Sequence, residues 1–111
     1  MSKIKYSNKA LIDLIDIEKY IKEELESPVA AKNTITKITK KIRLLEEFPE
    51  LGAPLSSIVD IENDYRYLVC ENYLAFYRIS ETNVLIIRII YGKRDYLKIL
   101  LEDNQSNDTP Q

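Results

Sequence analysis

The sequence predicts an α+β domain in which two antiparallel helices cover one face of a mostly antiparallel sheet. Two observations carry that expectation. In the first half of the chain apolar residues recur every three or four positions, whereas in the second half they alternate every two. The change falls at Phe48-Pro49-Glu50-Leu51-Gly52-Ala53-Pro54, whose prolines forbid a helix from continuing. The element order is therefore β-α-α-β-β-β with a short C-terminal helix, and the second sheet face is expected to be partly open.

Ile4-Lys5-Tyr6 is a short extended segment suited to a sheet edge. Ser7 or Asn8 can cap a first helix whose stripe runs Ala10, Leu14, Ile17, Ile21, Leu25. Ser27-Pro28 places a cap before a proline at the first helical position, and a second stripe follows at Ala31, Ile35, Ile38, Ile42 and Leu45. The short gap between them makes a hairpin. A meander begins near Ile58 or Tyr65, where Tyr65, Tyr67 and Val69 share one phase and Arg66, Leu68 and Cys70 the other. Tyr73, Ala75 and Tyr77 then oppose Leu74, Phe76 and Arg78. Glu71-Asn72 and Ser80-Glu81-Thr82-Asn83 are polar and suited to turns. Val84 to Tyr91 is apolar apart from Arg88, as a central strand buried on both faces would be, and Gly92 ends it ahead of Lys93-Arg94-Asp95. Tyr96 to Leu101 suits one or two turns of helix. Glu102 to Gln111 is polar and expected to be disordered, which leaves residues 1–101 as a single domain.

At 111 residues and 13.0 kDa the chain has one core and little spare volume for a cofactor, so a surface site and no cofactor are expected. No leader and no membrane-length apolar run is evident, which predicts a cytoplasmic protein without a membrane partner. With no histidine and one cysteine, the usual metal sites and every His-based triad are excluded. Cys70 reads as a small buried apolar residue. The net charge of −2 hides a dipolar arrangement. Asp13, Asp16, Glu18, Glu23, Glu24 and Glu26 crowd the first third, whereas Lys32, Lys37, Lys40, Lys41 and Arg43, then Arg88, Lys93, Arg94 and Lys98, are basic.

The meander brings arginines and tyrosines together. Arg66, Arg78 and Arg88 suit a phosphate-binding group, or pairing with neighbours such as Glu62, Asp64 or Glu71, the two readings weighing evenly for Arg66 and the second more for Arg78 and Arg88. Arg94 is the stronger candidate, following a strand and a glycine and standing beside Lys93. Tyr73 and Tyr77 suit stacking on a partner, although half-buried tyrosines are ordinary in sheets. The Lys-rich second helix reads as a solvated face, and Asp13 and Asp16 as structural groups on the exposed side of the first helix.

From Ile4 to about Leu101 the chain resembles the RelE/ParE superfamily, the toxins of bacterial type II toxin–antitoxin (plasmid stabilisation) modules. The resemblance lies in KIKYSNKALIDLIDIEKYI at the start, in the Leu45, Pro49, Gly52 spacing, and in Tyr-Arg-x-Leu-Val at Tyr65 to Val69. Tyr-x-x-x-Tyr-Arg-Ile at Tyr73 to Ile79 and Arg-Ile-x-Tyr-Gly-Lys-Arg-Asp at Arg88 to Asp95 complete it. Their order and spacing carry the assignment, since no single piece is specific.

The resemblance implies a RelE/ParE-like fold, a cognate antitoxin partner in a hetero-oligomer, and one of two targets. In the ribosome-dependent mRNA interferase branch, basic groups on the sheet stabilise phosphorane charge and a C-terminal tyrosine assists the 2′-hydroxyl. Arg66 and Arg94 occupy two of those slots, with Tyr91 or Tyr96 as substitutes for the tyrosine, but Leu68, Leu74 and Leu100 stand where the other polar groups belong. The ParE branch matches in Arg66, Cys70, Glu71 and in Tyr91 to Asp95, and implies a protein that binds DNA gyrase without cutting anything itself. That branch is the leading expectation, with Arg88, Lys93, Arg94, Arg66, Tyr73 and Tyr77 as target-binding residues and no metal. The alternatives are an endoribonuclease acting on ribosome-bound message and a chain that binds only antitoxin.

Overall fold

Ser7 decides where the first strand becomes the first helix. In the computed structural model, which describes residues 2–59 and 62–108, β1 (Lys3–Tyr6) pairs in parallel with β5 (Asn83–Tyr91), from Lys3 opposite Asn83 to Tyr6 opposite Ile86. The next N–H, that of Ser7, donates to Ile86 O at 2.9 Å. Its hydroxyl donates to Ile87 O at 2.7 Å and accepts from Ala10 N at 3.0 Å, so one side chain closes a strand edge and caps α1 (Asn8–Glu23). α2 (Pro28–Arg43) opens in the same way, with Ser27 Oγ accepting from Ala30 N at 3.2 Å and Pro28 in the first turn, where its missing N–H leaves nothing unpaired.

β2 (Ala53–Pro54), β3 (Arg66–Cys70) and β4 (Tyr73–Ser80) complete a five-stranded sheet of order β1-β5-β4-β3-β2. Every pairing but β1 with β5 is antiparallel. The hairpins turn at Glu71-Asn72 and Glu81-Thr82, where Glu71 (φ 57°) and Glu81 (φ 54°) hold left-handed backbone that side-chain-bearing residues adopt at a cost. Between β4 and β5 the register slips, since Phe76 faces Arg88 while Tyr77 faces Ile86, leaving Ile87 as the bulged residue.

α1 and α2 lie over one sheet face on a core that includes Ile38, Ile42, Leu45, Leu68, Ala75, Tyr77 and Ile86. A second core, Leu55, Phe76, Ile90 and Leu100, fills the opposite face beneath α3 (Tyr96–Asp108). That face is therefore partly roofed, by α3 and by the turn at Leu55–Ser57.

Several expectations are corrected in detail. Leu25 does not belong to the first helix's buried stripe, because α1 ends at Glu23 and Leu25 is exposed. β2 is an unforeseen strand, too short to show alternation. α3 runs on to Asp108, past the expected one or two turns and into the segment assigned to a polar tail, of which residues 109–111 lie outside the described part. β5 is not buried throughout. Leu85, although paired with Lys5 of β1, is exposed because it alternates with the buried Val84 and Ile86 onto the opposite sheet face, outside the core beneath α3, and the bulged Ile87 is half-buried.

Candidate binding surface

Two of the residues singled out from the sequence hold a loop rather than face a partner. Tyr77 is fully buried, and its hydroxyl donates to Pro49 O at 2.7 Å while accepting from Gly52 N at 2.9 Å. A Cβ on Gly52 would sit 2.5 Å from Tyr67 O and 2.7 Å from the Tyr77 hydroxyl, so only glycine fits there. Arg66 clasps the same loop from the neighbouring strand. Its Nε and Nη2 donate to Gly52 O at 3.1 and 2.7 Å, and Nη2 also reaches Glu50 O at 3.1 Å. The Leu45, Pro49, Gly52 spacing thus has a physical meaning, for the carbonyl of Pro49 and both backbone groups of Gly52 are the atoms that β3 and β4 grip. As a target-binding residue Tyr77 is corrected, since a buried ring offers no contact, and Arg66 has its guanidinium committed to carbonyls.

Arg88 is likewise engaged internally. Its Nε and Nη2 donate to the Asp13 carboxylate at 2.8 and 3.0 Å, and that carboxylate also accepts from Ile89 N at 2.8 Å. Both side chains are largely buried, at 15% and 12% exposure. Asp13 is therefore not on the exposed side of α1. It reaches the β5 edge that β1 leaves uncovered, satisfying a strand N–H and neutralising the arginine beside it. A solvent-facing phosphate-binding group of Arg66, Arg78 and Arg88 does not assemble. Arg78 pairs with Asp64, Nη2 to Oδ2 at 2.7 Å, and lies over the Tyr65 ring at 5.6 Å; the hydrogen bond to Asp64 and its charge hold the guanidinium proton more firmly than usual.

What faces solvent is the far end of β5. Tyr91, Lys93 and Arg94 are exposed, and among the described residues neither cation has an ion pair. The backbone is fixed beneath them. Gly92 N donates to Asn72 O at 2.9 Å and Arg94 N to Tyr91 O at 3.0 Å, and a Cβ on Gly92 would press on Asn72 O at 3.3 Å, a close approach that favours glycine. Tyr73 and Tyr91 meet edge to face with centroids 5.7 Å apart. Burial raises the Tyr73 pKa, with Tyr91 and Tyr20 adding to the rise, which places Tyr20 of α1 in the same neighbourhood. Tyr20 was not foreseen; the available signal was a large aromatic residue off the buried stripe of its helix, exposed at 56%.

The slots of an mRNA interferase are not gathered into one surface. Leu68 and Leu100 are buried in opposite cores, Leu74 packs against the core that holds Leu100, and Tyr96 leans on Phe76 with centroids 5.4 Å apart. Arg94 and Tyr91 remain exposed. Cys70 is buried, and burial first of all pushes its thiol up to about 11.

A helix hairpin on a mostly antiparallel sheet whose parallel edge strand comes first in the chain defines a RelE/ParE-like toxin fold. The chain belongs to the ParE toxin family of type II toxin–antitoxin systems (parDE), whose model matches residues 4–96. It is similar to a chain of the chromosomal ParDE system of P. aeruginosa, with 25% identity over 84% of this chain and 98% of that one and a TM-score of 0.71. The isolated RelE toxin of E. coli shares the fold at 14% identity, a TM-score of 0.52, and coverage of 95% of this chain and 99% of that one. No curated protein sequence matches the chain.

Proposed function

We propose that this type II toxin arrests growth by binding DNA gyrase, in the cytoplasm, and that a cognate antitoxin neutralises it by forming a hetero-oligomer with it. Membership of the ParE family supports the reading. The observation that carries it on this chain is the exposed end of β5, where Tyr91, Lys93 and Arg94 stand on a backbone fixed by Gly92 and Arg94, beside Tyr73 and Tyr20. Aromatic rings next to unengaged cations are the composition of protein-binding hot spots, and a guanidinium there can take a carboxylate or phosphate in two hydrogen bonds. For the antitoxin the chain offers exposed Leu11, Ile12 and Ile15 on α1 and the outer edge of β3 beyond Tyr67, surfaces suited to an amphipathic helix or an added strand. No described helix is long and apolar enough to cross a membrane.

The test is induction together with purified enzymes. Filamentation, a DNA-damage response and inhibited gyrase supercoiling, with ribosome-bound message intact, are the expected results. Rapid translational arrest with cleavage of message in the ribosomal A site would overturn the gyrase reading in favour of an interferase.

A further inference from the structure

We propose that the outer face of α2 is a docking surface for the phosphate backbone of duplex DNA. Six residues form two rows at four-residue spacing, Lys32, Thr36, Lys40 and Asn33, Lys37, Lys41, and all six are exposed. Each can donate a hydrogen bond, and four carry positive charge. Between Pro28 and Arg43 the helix holds no Asp or Glu, although the whole chain has net charge −2. Acids crowd α1 and the turn after it, at Asp16, Glu18, Glu23, Glu24 and Glu26, and Glu46 and Glu47 follow the end of α2, so the two rows give a polyanion a face of one charge sign on a chain that is acidic on balance.

Compensation of the helix dipole accounts for Lys40 and Lys41 in the last turn, but not for Lys32 or Lys37. Ion pairing accounts for little. Among the described residues the four lysines make one ion pair, Lys37 with Glu71 at 3.9 Å, both side chains well exposed.

The surface discriminates between polyanions. An acidic protein segment needs apolar or aromatic anchors at its interface, whereas no exposed residue of α2 from Lys32 to Lys41 is apolar, and the exposed Leu44, Phe48, Leu51 and Val69 stand only past the C-terminal end of the rows, beside Lys40 and Lys41. Single strands are held largely by stacking on aromatic rings, and α2 has none. A duplex asks only for donors and charge. The rows extend about 14 Å at ~1.5 Å per residue, and a duplex presents one charge every ~1.7 Å, so all four lysines fall within reach of phosphates. The inference goes beyond gyrase binding, and its test contains no gyrase.

The experiment measures fluorescence anisotropy of a labelled mixed-sequence duplex DNA titrated with the full chain at several salt concentrations. Four phosphate contacts predict a log–log salt slope of about −3.6, and hence a loss of affinity of roughly 100-fold between about 50 and 200 mM salt. Lys40→Gln with Lys41→Gln should bring the slope to about −1.8 and weaken low-salt binding at least ~10-fold, with an unchanged circular dichroism spectrum. Lys19→Gln with Lys22→Gln removes equal charge from α1 and should leave binding as it was. No duplex binding at low salt, equal weakening by the α1 pair, or tighter binding of polyglutamate, single-stranded DNA or double-stranded RNA would each overturn the proposal.

Discussion

Replacing Tyr77 with Phe removes one oxygen atom and should cost far more than its size suggests. The hydroxyl serves two backbone groups of the loop after α2, the carbonyl of Pro49 and the N–H of Gly52. Gly52 is buried and Pro49 half-buried, so the orphaned N–H finds no water while the carbonyl finds some. Leaving a buried polar group unsatisfied costs about 1–3 kcal/mol, so the substitution should destabilise by about 3 kcal/mol in all. For a domain of this size that is a fall in Tm of roughly 12 °C, at about 4 °C per kcal/mol. Thermal denaturation followed by circular dichroism reads it directly. Growth arrest should persist at a temperature where the variant is folded, because Tyr77 has no exposed surface. A fall of less than about 3 °C would refute the reasoning, since the loop would then be held by Arg66 and packing alone.

Gly52→Ala should be worse still, expected to accumulate only as insoluble protein, because its Cβ would overlap Tyr67 O and the Tyr77 hydroxyl. Asp13→Asn removes the carboxylate charge that Arg88 meets in a largely buried setting and should lower stability by about 3 kcal/mol, read as a shifted urea midpoint. Arg94→Ala should fold with a change within about 0.5 kcal/mol, still co-purify with antitoxin, and lose growth arrest in a plating assay. Retained full toxicity or an unfolded product would remove the end of β5 from consideration. Cys70 should resist thiol reagents in the folded protein near neutral pH. Its thiol titrates near 11 when folded against 9.0 ordinarily, so the unfolded chain loses its proton first; this contribution to stability is intact below pH 9.0 and is lost as pH rises to about 11.

The layers of the fold were legible because each rests on local periodicity: the two stripes gave the helix hairpin, and the phases of Tyr73 to Arg78 gave a strand with two faces. What stayed hidden was set by distant partners. Nothing near Arg88 in sequence announces Asp13, separated from it by 75 residues, and Arg66 looks like a free strand cation until the carbonyls of Glu50 and Gly52 are folded beneath it. Tyr77 shares its alternation with Tyr73 and both pack on the helix-side core, yet Tyr77 is sealed in its middle while Tyr73, the first residue of β4, is only half-buried. The exposed place of Lys93 and Arg94 after β5 is readable because glycine punctuation marks the end of a strand whatever its tertiary context.

The pairing of β1 with β5 has a consequence for synthesis. The first strand to leave the ribosome is completed by the last, so the N-terminal segment and both helices emerge with no finished sheet to lie on. Pairing across nearly the whole chain is a high-contact-order event, slow and late. Ser7 cannot donate to Ile86 and Ile87, nor Asp13 meet Arg88 and Ile89, until β5 has been made, 75 residues or more after them. A nascent or truncated toxin ending before β5 is therefore expected to be inert. Until β5 has emerged, the growing chain is expected to be harmless and open to capture or proteolysis.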